Sequence, residues 1–307
     1  MSLTTNRHQL VIMAVQGGVA PAHQWAPFEV GAAGEIFSWP STGGISYNVK
    51  VGDSVFGWAG EHLEPGVSTT FTHSNKKAEA GYQFLACCGN EVKIISGEAK
   101  GAVGRVIGHH GGVEHLMLDF DDQTLEKLTY DDKFLVKAQG QGIKFIDHPE
   151  VFIYNIDPDL LQRWGLSERE DGKIEVPVHV IVPAHAMGSG IGALSMTTGD
   201  YDILCHDDET IKEYGLDKLR FGDFVAVIDH DNCYGRTYRK NAITIGMVIH
   251  SDSPLGGHGP GMMTIMSALD NKLVPVLSEK ANMGEMLNIG RYKANAIAQD
   301  TAPTDQQ

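Results

Sequence analysis

Three apolar runs in the sequence end where a carboxylate and an imidazole stand close together. "WAGEHLEPG" carries Glu61, His62 and Glu64; "VIDHDN" carries Asp229 and His230; "VIHSDSPLGGHGPG" carries His250, Asp252 and, beyond a glycine-rich loop, His258. Neutral imidazole and carboxylate are the usual ligands of Zn, Mn or Fe, and a catalytic centre needs about three of them with one position left open. For a divalent metal the first-choice ligands are His62, Glu64, His250 and His258, with Asp202 in reserve. Glu61 or Asp252 is then the group that takes a proton, while the metal acidifies a bound water and polarises a carbonyl. Acid-imidazole neighbours that merely solvate a turn are the alternative, because histidine makes up 14 of 307 residues.

Other candidates sit on loops. "VPAHAMGSGIGALSMTTGDYDI" places Gly188, Ser189 and Gly190 after an apolar run, where bare backbone N–H groups could hold an oxyanion or substrate carboxylate, and then Asp200 and Asp202 two apart. A flexible connection between strands is the competing reading of those glycines. Arg236 in "YGRTYR" could grip a carboxylate through two donors, or be a plain surface arginine. Neither G-x-x-x-x-G-K-[ST] nor G-x-G-x-x-G with its following acid is present there, so no nucleotide cofactor is expected. Cys87 and Cys88 end "YQFLACC", where inert burial is favoured over nucleophilic chemistry. His109, His110 and His115 in "HHGGVEH", at a barrel rim, could bind a metal as three imidazoles, but a solvated turn is the favoured reading.

These residues need strands to hold them. Short β-branched or aromatic runs recur between Gly, Asp and Asn: "ISYNVKV", "YQFLACC", "EVKIIS", "KFLVKA", "EVPVHVIV", "DFVAVID", "AITIGMVI" and "MMTIM". Such spacing predicts a mainly β (α+β) protein of two barrel-like domains. "GEAKGAVGRV" follows the glycine pattern of KOW-type SH3-like barrels and places one in the first half. Helices are expected only in "DPDLLQRWG", "DDETIKEYG" and "SEKANMGEMLN". The segments "GDSVFGWAGEH" and "GDFVAVIDH" share a layout of turn, buried strand and acid-histidine exit. A boundary near residue 146 gives an N-terminal β-rich domain over 1–146 and a C-terminal one with short helices over 147–295. A disordered polar tail is expected over 296–307.

The bulk numbers exclude some partners. A net charge of -15 repels phosphate backbones and anionic membrane surfaces, which argues against nucleic acid or membrane partners despite the KOW-like pattern. Four cysteines without CxxC or zinc-ribbon spacing suit a reducing cytoplasm. The apolar run from Leu10 to Val15 is too short for a signal core or a membrane span. Acidic β-rich character with exposed glycine loops leads us to expect a homo-oligomer acting on a small molecule.

From about residue 10 to 270, blocks such as "GGISYNVKVGDSVFGWAGEHLEPGVS", "VPAHAMGSGIGA" and "HSDSPLGGHGPGM" resemble a family of bacterial proteins known as a domain of unknown function. The family pattern has the acid-histidine pair at Glu61-His62, a single cysteine at Cys87 and G-H-G-P-G at 257–261; Cys88 departs from it. Shorter pieces, including "VPVHVIVPAH", are similar to acetamidase/formamidase enzymes. That second similarity implies metal-assisted hydrolysis of a small polar amide-type (C–N) substrate. A noncatalytic binding or assembly protein is the alternative.

Overall fold

The run "KFLVKA" alternates strictly, with Phe134, Val136 and Ala138 buried and the residues between them exposed. Strands with one apolar face close on themselves, and here six of them form a closed barrel. In the computed structural model, which describes residues 3–191 and 195–293, the first eight strands are β1 Met13–Val19, β2 Glu29–Val30, β3 Ile36–Phe37, β4 Val67–Thr70, β5 Glu91–Ile94, β6 Val103–His110, β7 His115–Asp119 and β8 Lys133–Ala138. The barrel order is β1-β4-β7-β6-β5-β8, and β2 pairs with β3 as a separate arm.

The second half is built on a seven-stranded sheet that forms a half-barrel. Its strands are β9 Phe152–Ile153, β12 Val180–Val182, β13 Met187–Ile191, β14 Asp200–Ile203, β15 Phe224–Asp231, β16 Thr237–Val248 and β17 Gly261–Ala268, in the order β12-β15-β16-β17-β14-β13, with β9 on β17. β10 Ser167–Glu168, β11 Ile174–Val178 and β18 Leu273–Leu277 make a small third sheet. The protein is therefore mainly β, with two barrel-like domains and a few short helices, as its sequence predicts.

Helices α3 Pro158–Arg163, α4 Asp208–Tyr214 and α5 Met283–Leu287 fall where the caps predict them, with side-chain caps from Asp157, Asp207 and Asn282. A tiny α2 covers Asp122–Leu125. One expected strand is a helix instead: residues of "YQFL" close α1, Lys76–Leu85. Asn75 starts it by accepting from the Lys77 N–H at 3.0 Å, and Lys-Lys-Ala-Glu-Ala favours helix more strongly than the apolar end favours a strand. The runs "ISYNVKV" and "SVFGWAG" are also not strands. Their Val49, Val51 and Val55 are buried in the core from an irregular loop whose backbone forms isolated bridges such as Ser54 with Arg220.

The glycine pattern at 97–106 does turn a tight hairpin between β5 and β6. Gly97 and Gly101 have positive φ, and a Cβ on Gly104 would stand 2.2 Å from the Asp119 carbonyl oxygen. Cys88, the departure from the family pattern, packs its sulfur 3.5 Å from that of Met247 and 3.7 Å from that of Met283. All four cysteines are buried free thiols. Among the described residues no helix is long and apolar enough to cross a membrane. The expected disordered tail at 296–307 lies outside the described residues.

Candidate metal centre

The two halves bring imidazoles and carboxylates together where the β6–β7 hairpin of the barrel meets β14 and the loop between β16 and β17. β14 supplies Asp200 and Asp202, which share one face of the strand because a strand repeats every second residue. His250 stands two residues beyond β16 and is fully buried. His110 ends β6, and His62 comes from the long loop between β3 and β4 with φ at 48°. For a non-glycine residue that left-handed conformation is held only by its surroundings.

Two ligand groups result, His62-Asp202-His250 and His110-Asp200-His250, each with its ligand atoms within 4.8 Å of one another. His250 belongs to both. Its Nε2 lies 3.2 Å from Asp200 Oδ2 and 3.5 Å from Asp202 Oδ1, while Nδ1 is 2.9 Å from the Ser251 carbonyl oxygen. The His250 and His110 rings stack with centroids 4.3 Å apart. Asp202 Oδ2 is buried and only 2.9 Å from His258 Nδ1, yet no donor among the described residues is aligned to hydrogen-bond it. A buried carboxylate oxygen without an aligned donor, facing three imidazoles, fits a cation.

The glycine at 261 explains how His250 gets there. Gly261 is the β17 residue opposite Asp202, and a Cβ on it would stand 1.9 Å from His250 Nε2. The imidazole occupies the place of a side chain. Gly261→Ala must therefore push His250 away from both aspartates; overpacking of this kind costs ~1–3 kcal/mol, and the expected result is a lower unfolding midpoint and at least a tenfold loss of metal affinity, read by denaturant titration and calorimetry.

Charge in the cluster is strongly coupled. Burial would hold the His250 imidazolium pKa down, but Asp200 and Asp202 outweigh it and raise that pKa well above the ordinary value. His62 is likewise raised against its burial, by Asp202 and Glu61. Burial pushes the Asp202 carboxyl up, yet the imidazoles of His250, His258 and His62 bring it far below the usual carboxylate range. Glu61 ends lower than usual for a similar reason: burial raises it and the hydrogen bond to His62 Nδ1 prevails. Without a metal, His250 and His62 therefore hold a proton more tightly than an ordinary imidazole does.

Not every expected ligand is in the cluster. Glu64 stands behind it, completely enclosed: its carboxylate accepts from His110 Nδ1 at 2.7 Å, His115 Nδ1 at 2.9 Å, the Gly43 N–H at 2.8 Å and Ser68 Oγ at 2.5 Å. With its lone pairs taken, it orients His110 and leaves that ring's Nε2 free, as carboxylates behind metal-bound histidines do. His258 sits at the mouth, with a side chain 37% exposed and Nδ1 3.1 Å from His62 Nε2. Asp252 does not line the cavity over this cluster. It lines a small hollow with Trp39, Val55 and Pro254, where burial pushes its carboxyl up to about 6. His230, the histidine of the second acid-imidazole pair, bonds Thr244 instead.

His110 belongs to the centre although the favoured sequence reading made it part of a solvated turn. Gly112 and Glu114 in the turn are exposed, but the histidines flanking it are buried, with His110 and His115 paired across the hairpin around Glu64. An imidazole on each side of a tight turn was the available signal. A cavity of about 350 Å³ opens over the cluster, lined by Glu61, His62, His110, Asp200, Asp202 and His258, with Trp25, Glu29 and Leu255 toward its mouth. Gly188 and Arg236 do not line it. They meet each other elsewhere, Arg236 Nη2 donating to the Gly188 carbonyl oxygen at 2.7 Å. Gly188 thus stands away from this centre; the side chain of Ser189 and the surroundings of Gly190 lie outside the described residues.

Residues 28–162 and 163–287 match, respectively, the N-terminal and C-terminal parts of a domain of unknown function, DUF4438. The chain belongs to the DUF4438 family. A crystal structure of TM1086 is similar over 92% of this chain and 98% of that one, at 47% identity and a TM-score of 0.87. A search of curated proteins gave no match. In this DUF4438 protein the two family segments each contribute to the cluster, His62 and His110 from the first and Asp200, Asp202, His250 and His258 from the second.

Proposed function

We propose that the protein is a metal-dependent hydrolase of a small polar amide-type substrate. One observation carries this: two ligand groups that overlap at His250, His62-Asp202-His250 and His110-Asp200-His250, gather side chains from separate segments at the floor of an open cavity. Mixed imidazole and carboxylate ligands suit Zn, Mn or Fe. Such a metal supplies Lewis acidity toward a carbonyl and a nucleophile at neutral pH.

The chain's own residues do the rest. Glu61 lines the cavity, holds His62 through one carboxylate oxygen, and keeps Oε1 buried without a partner among the described residues. That oxygen is the proton acceptor in our account. Trp25, Val113 and Leu255 give the mouth an apolar rim, and about 350 Å³ admits a small molecule but no polymer cross-section of any length. The preference for a C–N bond rests on the short sequence pieces similar to acetamidases.

We further infer a homo-oligomer in a reducing cytoplasm. Its support is the arm around β2 and β3, where Phe28, Val30 and Ile36 are each more than half exposed, together with four unpaired buried thiols. Nucleic acid and membranes remain unsuited to the -15 charge.

Metal-loaded protein assayed against formamide, acetamide and related small amides tests the activity. The expected result is chelator-reversible hydrolysis that falls by ~10²–10⁴-fold in Glu61→Gln, the span of a lost general base. Metal bound tightly with no turnover of any amide would instead favour a noncatalytic binding protein.

A further inference from the structure

Tyr201 stands between Asp200 and Asp202 on β14 and so faces the other side of the strand. There it helps line a second cavity of about 410 Å³, with Met187, Asp229, His230, Arg236 and Tyr238. This volume is within the ~300–1,000 Å³ typical of small-ligand sites.

Two buried polar atoms in its wall have no partner among the described residues, Arg236 Nη1 and His230 Nε2. His230 is only 4% exposed. Arg236 is held in place by its Nη2 bond to the Gly188 carbonyl and by stacking over the Tyr201 ring, with 5.4 Å from guanidinium carbon to centroid. Its other amino group is left to donate. The protonation of His230 follows from its neighbours. Thr244 Oγ1 donates to the His230 carbonyl oxygen at 2.8 Å, so its lone pair must accept from His230 Nδ1–H at 3.0 Å. Nε2 then carries a lone pair and needs a donor. Burial, and next the Arg236 charge, push the imidazolium pKa down to about 4, which keeps the ring neutral.

An empty donor and an empty acceptor in the lining of one cavity, each costly to leave unpaired, describe a ligand with the opposite pair. We propose that this cavity binds a small carboxylate bearing a hydroxyl or amine on the neighbouring carbon: Arg236 holds the carboxylate, and His230 Nε2 accepts from the hydroxyl or amine. Asp229, also in the wall, uses Oδ1 to accept the Asn241 N–H at 2.7 Å and presents its negative charge to an ammonium group. The site is separate from the metal centre, on the opposite face of the strand that carries both aspartates.

Calorimetric titration of metal-free protein with glycolate, glycine, acetate and inorganic phosphate tests this. Glycolate or glycine is expected to bind, with acetate and phosphate at least tenfold weaker because neither offers the carboxylate-and-donor pair. Tighter glycine than glycolate assigns the amine form and the reverse assigns the hydroxyl form. Arg236→Gln is expected to weaken binding at least tenfold and Arg236→Lys by less, at unchanged thermal midpoint and metal affinity. No binding by glycolate or glycine, equal binding of acetate, or binding untouched by Arg236→Gln overturns the proposal. Because every ligand titration is run on metal-free protein, none of the binding outcomes bears on the hydrolase.

Discussion

Replacing His250 by alanine should remove tight metal binding altogether, by more than the ~10–100-fold that changes outside the ligand shell cause. His250 is the ligand common to both groups, whereas His258→Ala, at the partly exposed mouth, should cost about tenfold. In the metal-free protein the same substitution leaves Asp200 and Asp202 buried without the imidazolium between them. Breaking a buried ion pair by removing one partner costs ~3–5 kcal/mol. The pH dependence has a definite sign. The folded pKa of His250 is raised, so the stability it adds is fully present below its unfolded value of ~6.5 and fades as pH climbs toward the folded value. Metal-free wild type should therefore weaken from pH 6.5 upward, and His250→Ala should lose that slope. Metal affinity runs the other way, rising with pH as the displaced proton becomes easier to remove. Denaturant titrations with and without chelator, from pH 6 to 9, read both.

The second large effect belongs to Glu64. Four donors converge on its carboxylate, from Gly43, Ser68, His110 and His115. Glutamine at this position offers one accepting oxygen and turns an NH₂ group against the remaining donors. We expect Glu64→Gln to lose ~3–5 kcal/mol of stability at pH 7, the scale of an uncompensated buried charge partner, and ~10–100-fold of metal affinity through a misaligned His110. Burial raises the Glu64 pKa, but the hydrogen bonds and charges of His110 and His115 bring it well below the usual value. A depressed carboxylate adds stability above its unfolded pKa of ~4.3 and gives it up as pH falls through the folded one. Wild type should therefore unfold in acid along a slope that Glu64→Gln partly lacks. Urea midpoints between pH 3 and 7 check this, with metal removed so that the two effects separate.

Much of this site is legible in the chain because its parts end strongly patterned runs. The apolar strand before His250, the period of two at Asp200 and Asp202, and the glycines around His258 all carry local signals. Gly261 sharpens the point, since a glycine in an ordinary-looking strand turns out to be the space that an imidazole fills. Glu64 and His110 exchanged roles because that choice depends on contacts 46 residues apart, where a tight hairpin delivers two ring nitrogens to one carboxylate. His62 was legible as a ligand but not as a loop residue. Its "SVFGWAG" lead buries Val55 between more exposed neighbours as a strand would, yet among the described residues it pairs only at the isolated bridge of Ser54 with Arg220, and an alternating burial does not distinguish the two. Similarly, "YQFLACC" carries a strand-like apolar ending on a helix whose start signal, Asn75, lies well upstream.

The central claim is that a cation belongs where the two ligand groups overlap at His250. Anomalous diffraction from crystals of the protein loaded with Zn or Mn, collected on both sides of the metal edge, locates it directly. The account predicts a strong peak within coordinating reach, ~2.0–2.2 Å, of His250 Nε2 and an oxygen of Asp200 or Asp202. No peak between those residues at saturating metal, or a peak only at exposed carboxylates elsewhere, would contradict it.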